Sequence, residues 1–324
     1  MLTVEENERV TRVGPNTPAG KLFRRYWWPM CLSSELPEKD GSPLRVRLLG
    51  EDLVAFRATD GSVSLMANAC PHRGASMFFG RNEENGLRCV YHGWKFDVEG
   101  TCVDMPNEPA ESNFKHKIKA TAYAAADWGG ITWVYMGPSQ GTPPGLPEFE
   151  WCKLPEEQVH HAYKGVYHCN WMQTLEGDID TSHLYFLHGR LNADDPAQYG
   201  VFHKDKAPRL EIVETEYGVL YGAKREEEEG KTYWRTTQYL MPIFTMFPGT
   251  EDGFVPSHMY TPIDDNLTMH WGLRWHPSRT MPGNRKLVQD IHKVPDLNGM
   301  GPMKPEQKGK FFADWWPVAG PEND

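Results

Sequence analysis

The chain has 324 residues, with 34 Lys and Arg against 44 Asp and Glu and a net charge of −10 at pH 7. This acidic balance disfavours nucleic acid and anionic membranes as partners, and 24% charged with 12% aromatic residues excludes a mainly disordered or collagen-like chain. At about 150 residues per domain the length suggests two domains. No apolar run approaches the roughly 18 residues of a membrane helix, and the start, MLTVEENERV, lacks the pattern of a secretory signal, so a cytoplasmic chain is expected.

Residues 44–69 alternate short β-prone runs, LRVRLL, LVAFRA and VSLMAN, with turn signals at Gly50-Glu51-Asp52 and Asp60-Gly61, which predicts an antiparallel meander. WKFDVEGTCVDM and ATAYAAADWGGITWVYMG repeat the pattern around Glu99-Gly100 and Gly129-Gly130. The stretch GPSQGTPPGLPEFE, residues 137–150, reads as a linker, which divides the chain into domains 1–140 and 141–324. NWMQTLEGDIDTSHLYFLH, residues 170–188, carries apolar residues at helical spacing and predicts one helix or two abutting ones. From Arg209 onward, alternating segments predict a second antiparallel sheet, with Glu226 to Glu229 as a solvated hairpin tip. The fold class expected is α+β: an antiparallel β domain followed by an α+β domain built on a central antiparallel sheet.

Six cysteines are too few for a disulfide scaffold in a chain this long, so metal ligation or burial as free thiols is expected. Cys70-Pro71-His72-Arg73-Gly74 is followed, with sixteen residues between His72 and Cys89, by Cys89-Val90-Tyr91-His92-Gly93-Trp94. A structural zinc accepts two cysteines and two histidines, although its usual first half is a Cys-x2–4-Cys pair. A Rieske [2Fe-2S] centre takes two thiolates on one iron and two imidazoles on the other. Gly74 and Gly93 let the loop backbones approach such a group, and Pro71 stiffens one loop. Cys31, Cys102, Cys152 and Cys169 have no partner spacing, so only burial is expected of them. His168, His203 and His258 are expected to be satisfied core or surface residues.

Downstream, Glu176, Asp180, His183 and His188 form E-x3-D-x2-H-x4-H. On a helix Asp180 and His183 share a face, with His188 about one turn later. Two imidazoles and a carboxylate with open positions suit a non-haem Fe(II) site.

CPHRG with CVYHGW after a meander resembles the Rieske domain of the Rieske non-haem iron oxygenases. NWMQTLEGDIDTSHLYFLH resembles the catalytic helix of that family's phthalate dioxygenase-like branch, and NERVTRVGPNTPAGKLFRRYWWP its N-terminal segment. The resemblance implies a [2Fe-2S] cluster on Cys70, His72, Cys89 and His92, and a mononuclear Fe(II) on His183 and His188. It implies that Asp180 bridges an iron-ligating histidine to His92 of a neighbouring subunit in a head-to-tail trimer, a link that fixes both tautomers and shortens the electron path.

The implied activity is that of an oxygenase component. It uses dioxygen, and electrons from an NADH-dependent flavin reductase or ferredoxin, to hydroxylate, dihydroxylate or O-demethylate an aromatic substrate. Arg235 is a candidate partner for a substrate carboxylate, and Asn170 and Gln173 are candidates for hydrogen bonds near the iron. The family's third iron ligand is an Asp from a C-terminal helix. The sequence stops at GPEND and reads as shortened there, with Asp290 and Asp296 in poor contexts and Asp314 the least poor substitute. An electron-transfer Rieske protein and a catalytically silent ligand-binding homologue are the competing readings.

Overall fold

The computed structural model describes residues 2–109, 111–187, 205–226, 230–249 and 253–281. The chain opens with helices α1 (Val4–Thr11) and α2 (Pro18–Phe23). Thr3 and Glu6 start α1 with a reciprocal capping box, and Thr17 caps α2 with Pro18 in its first turn. The expected meander forms as β2 (Leu44–Leu48), β3 (Glu51–Arg57) and β4 (Val63–Ala67), and the segment around Gly129-Gly130 as β9 (Ala122–Trp128) and β10 (Ile131–Tyr135). Together with β1 (Trp27–Leu32) they make a six-stranded antiparallel sheet in the order β1-β10-β9-β4-β3-β2. WKFDVEGTCVDM yields only the short β7 (Lys95–Phe96) and β8 (Cys102–Asp104), which join the hairpin β5 (Arg81–Glu83) and β6 (Gly86–Arg88) in a separate four-stranded sheet.

A second, seven-stranded antiparallel sheet runs β11-β17-β16-β15-β14-β13-β12. Its members are β11 (Val159–Tyr167), β12 (Arg209–Thr215), β13 (Gly218–Glu226), β14 (Thr232–Leu240), β15 (Phe244–Met246), β16 (Val255–Pro262) and β17 (Thr268–Trp275). Between β11 and β12 the expected helical stretch forms α3 (Trp171–Ile179) and α4 (His183–Leu187), two helices broken at residues 180–182. Glu226 ends β13 exposed, as a solvated tip requires, while residues 227–229 lie outside the described residues. The α+β class expected from the sequence is the class observed.

Side chains alternate across the second sheet and give its two faces different work. On one face Phe244, Met259, Trp271 and Leu273 join Trp28 and Trp133 of the first sheet, Trp151 and Trp171 in one continuous core. On the other, Thr245 and His258 face α3. The stretch expected as a linker is pinned to that core: Trp27 Nε1 donates to Pro144 O at 2.8 Å, Trp128 Nε1 donates to Pro147 O at 3.1 Å, and Phe149 stacks on Phe244. An ion pair between Lys164 of β11 and Glu35, both nearly buried, adds a polar tie between the halves.

Arg24 organises the N-terminal segment. Its guanidinium donates to the carbonyls of Val13, Gly20 and Leu49, each at 3.0 Å, and to Glu51 Oε1 at 2.7 Å. Arg24→Met should therefore take this donor from the carbonyls of Val13 and Leu49 and break the ion pair to Glu51, whose carboxylate keeps only Tyr123 Oη, at a cost of about 3–5 kcal/mol. Thermal unfolding checks this, and a melting temperature equal to that of the wild type would refute it.

Candidate active site

The two Cys-His loops are built alike. Cys70 N–H donates to Ala75 O at 2.9 Å and Gly74 N–H to Cys70 O at 2.9 Å; Cys89 N–H donates to Trp94 O at 2.8 Å and Gly93 N–H to Cys89 O at 3.1 Å. Each loop closes through a glycine in the left-handed region, Gly74 at φ +69° and Gly93 at φ +77°. At Gly93 a Cβ would sit 2.6 Å from Pro106 Cγ, so any side chain there would displace the loop. Asn68 braces the first loop by accepting from Ser76 Oγ and Phe78 N–H, and Asn107 braces the second by accepting from Trp94 Nε1 at 2.7 Å.

The loops bring all four expected side chains together, as two pairs. Cys70 and Cys89 are each 3% exposed in a small apolar core with Met77, Leu87 and Phe96. Burial pushes the Cys70 thiol up to about 11; the backbone N–H groups of His72 and Arg73 counter this, and the neighbouring Cys89 thiol adds to it. The imidazoles of His72 and His92 lie 4.4 Å apart, with His72 stacked on Trp94.

Nδ1 of His72 is buried with no hydrogen-bond partner, an arrangement that costs free energy unless something else occupies the lone pair. A thiol pair and an imidazole pair fit the two-thiolate, two-imidazole ligand set of a Rieske [2Fe-2S] group.

The second constellation lies at the α3–α4 break. Asp180 closes α3, and its carboxylate accepts from the N–H of Ser182 at 2.8 Å and of His183 at 3.0 Å, which starts α4. Its Oδ2 also pairs with His183 Nδ1 at 3.1 Å. Partial burial raises the pKa of Asp180, but these three hydrogen bonds outweigh it and the carboxyl stays below its ordinary value. Asp180 and His183 thus meet as expected, through a cap across the break rather than along one continuous helix. His188, Asp290, Asp296 and Asp314 lie outside the described residues.

Asn170 sits at the opposite end of α3, about 15 Å from Asp180 at the rise of a helix. Its carboxamide caps Met172 N–H and donates to Thr11 O and Asp265 O, so it anchors the N-terminal segment and is too distant to serve Asp180. This corrects the expectation of a hydrogen bond near the iron. Gln173 is exposed two turns before Asp180, and Glu176 is exposed as well. Cys31, Cys102 and Cys152 are buried as expected, while Cys169 is only half-buried.

Arg235 of β14 lies on the sheet face beneath α3, with Ala223 as its register partner on β13. The same face carries Arg225, 1% exposed, whose Nη2 donates to Thr181 O and Oγ1 at 3.0 Å. Burial lowers the pKa of both guanidiniums, and Arg235 lowers Arg225 further, from a level so high that both remain cations. Tyr221 and His258 complete this polar floor, and Asp178 faces it from α3.

Sequence reasoning missed Arg225, Asp178 and the partnership of His258. The alternation of residues 221–225 with 233–237 was the available signal, because it puts Tyr221, Ala223 and Arg225 on one face with Tyr233, Arg235 and Thr237.

A β-rich protein with a two-cysteine, two-histidine loop pair and a second carboxylate–histidine site is a metal-dependent redox protein by its architecture. Comparison with known proteins gives the family. A model described as Rieske [2Fe-2S] domain matches residues 26–121, and one described as LigXa C-terminal domain like matches residues 134–298. The chain is 40% identical over 334 aligned residues to the 3-chlorobenzoate-3,4-dioxygenase oxygenase subunit of Comamonas testosteroni, covering 100% of this chain and 75% of that protein. It is 42% identical over 301 residues to the phthalate 4,5-dioxygenase oxygenase subunit of Pseudomonas putida, covering 86% of this chain and 66% of that protein.

The crystal structure of dicamba monooxygenase bound to 3,6-dichlorosalicylic acid superposes with a TM-score of 0.62 at 19% identity over 79% of each chain, a likeness of fold. The chain belongs to the Rieske non-haem iron oxygenases, in the phthalate dioxygenase-like branch of oxygenase subunits, which are enzymes. It contains a Rieske [2Fe-2S] domain, and oxygenases of this family use a mononuclear iron at the catalytic site. No helix among the described residues is long and apolar enough to cross a membrane.

Proposed function

We propose that this chain is the oxygenase component of a two-component system, with domains 1–140 and 141–324, acting in the cytoplasm on a carboxylated aromatic substrate. The chemistry is hydroxylation, dihydroxylation or O-demethylation, with electrons from an NADH-dependent flavin reductase or ferredoxin. The observation that carries this reading is the Asp180 carboxylate gripping His183 at the end of α3, above a sheet face that holds Arg225 and Arg235. The names of the two curated relatives above, a chlorobenzoate and a phthalate dioxygenase, favour an aromatic acid.

Cys70, Cys89, His72 and His92 would hold the cluster, and His183 with His188 the mononuclear iron; these groups supply electron transfer and dioxygen activation. The chain's own residues do the rest. Trp94 stacks on His72 and fixes its ring, while the N–H groups of His72 and Arg73 stabilise a thiolate at Cys70. Asp180 accepts from His183 Nδ1–H, which fixes that tautomer and leaves Nε2 as the ligand atom. The rest of the Asp180 carboxylate, 44% exposed, can accept from His92 of a neighbouring copy, which makes a head-to-tail trimer the working assembly. Arg235 orients the substrate carboxylate.

Arg235→Met tests the substrate class. A charge-assisted hydrogen bond contributes about 1.5–3 kcal/mol, so KM for a benzoate-type acid should rise about 10- to 100-fold. KM for a neutral analogue should stay within a factor of about two of the wild type. Equal losses for acid and neutral analogue would remove Arg235 from the substrate site. NADH-driven oxygen uptake, coupled to product from an aromatic acid, tests the reading as a whole.

A further inference from the structure

Asp178 is not in the ligand motif, yet its carboxylate ties α3 to the second sheet. It is 14% exposed, and its Oδ2 accepts from Thr245 Oγ1 at 2.5 Å. His258 of β16 lies with Nδ1 at 3.2 Å from Oδ1 and 3.1 Å from Oδ2. A carboxylate only accepts, so the His258 proton sits on Nδ1 and points at Asp178. Thr245 and His258 are register partners, and Ser257 Oγ ties back to Thr245 O, so both donors stand on a rigid ladder. The His258 ring is further fixed edge-on to His270 at 4.4 Å and to Phe247 at 4.9 Å.

Three residues further on, the α3–α4 break is held to the sheet again, by Arg225 donating to Thr181. Asp180 lies between the two attachments and accepts from the N–H groups of Ser182 and His183. From this geometry we infer that Asp178 and His258 are positioning residues, a clamp that fixes the end of α3 so that the Asp180 carboxylate meets the His183 ring. The clamp acts at a distance from the metal. Asp178 and His258 span 80 residues of sequence, and they convert sheet rigidity into a fixed orientation for a ligand histidine.

The inference rests on reading His183 as an iron ligand, and the test separates the two. The variants are His258→Leu, which removes the donor; His258→Asn, whose carboxamide N–H can replace Nδ1–H; and the milder Thr245→Val. Each is examined as the full chain with its cluster. Loss of a hydrogen-bonded anchor should speed hydrogen exchange in a peptide spanning residues 180–187 by about five- to tenfold in His258→Leu. Affinity for added Fe(II) should weaken about 10- to 100-fold, the usual cost of losing a group that orients a ligand. Visible cluster absorption should be unchanged. His258→Asn should recover most of both losses, and Thr245→Val should show smaller ones.

Wild-type exchange and Fe(II) affinity in His258→Leu would overturn the clamp. So would an Asn variant no better than the Leu variant, or exchange rising equally across the whole second sheet. His183→Ala tests the underlying reading separately. If it leaves Fe(II) affinity intact, His183 is not a ligand, while the exchange data still judge the clamp.

Discussion

Cys89→Ser should yield a folded protein without colour or turnover. The side chain is 3% exposed in the small core beside Cys70, and its loop is closed by backbone hydrogen bonds from Cys89 and Gly93 that a serine leaves in place. The change is therefore confined to the donor atom. A thiol at an iron site deprotonates and binds through soft sulfur, whereas a serine hydroxyl keeps its proton and binds iron weakly.

Without that ligand one iron has a single protein attachment, and the cluster should not survive purification. The visible absorption, acid-labile sulfide and NADH-driven oxygen uptake should all fall to background, while circular dichroism stays close to the wild type. Zinc at one per chain in the parent protein, with no sulfide, would refute the assignment of these four residues.

Asp180→Asn should have the second largest effect, of a different kind. Asparagine caps helices about as well as aspartate, so the N–H groups of Ser182 and His183 keep an acceptor and α4 keeps its start. What is lost is the charge, and with it the ability of one group to accept strongly from two ring N–H groups. Both iron sites should load and the cluster should reduce at its normal rate. Transfer from cluster to iron, followed by rapid mixing, should slow by about 10- to 100-fold, with turnover falling in step. If the proposed bridge joins two copies, the parent protein should sediment as a trimer. A monomer with unimpaired turnover in the Asn variant would end the argument for the bridge.

The Cys-His loops were legible in the sequence because their geometry is local. Each closes within six residues through two hydrogen bonds on the backbone of its own cysteine and a left-handed glycine, and spacing alone reveals both. The meander β2-β3-β4 was legible for the same reason, since short turns force adjacent strands to pair. Strand β11, VHHAYKGVY, was missed because its histidines and lysine blur the alternation of polar and apolar residues. Lys164 is buried there only because Glu35, 129 residues away, pairs with it. Asn170 was misplaced because spacing along a helix was read as proximity, when ten residues at 1.5 Å each carry it to the far end of α3.

What the sequence by itself determined is carried by short motifs: the paired Cys-His loops of a Rieske domain, the Asp180-to-His183 spacing, the β-rich halves and the family. Tertiary structure decided which polar groups work together. Arg225 and Thr181 lie 44 residues apart and Asp178 and His258 lie 80 apart, and no local pattern marks either pair. Their meeting depends on strand order and register, which place one face of a seven-stranded sheet beneath the end of α3. The physical reason is that hydrogen bonds and ion pairs act over about 3 Å in space, whatever the separation along the chain. A buried polar residue therefore shows its function only once folding has chosen its neighbours.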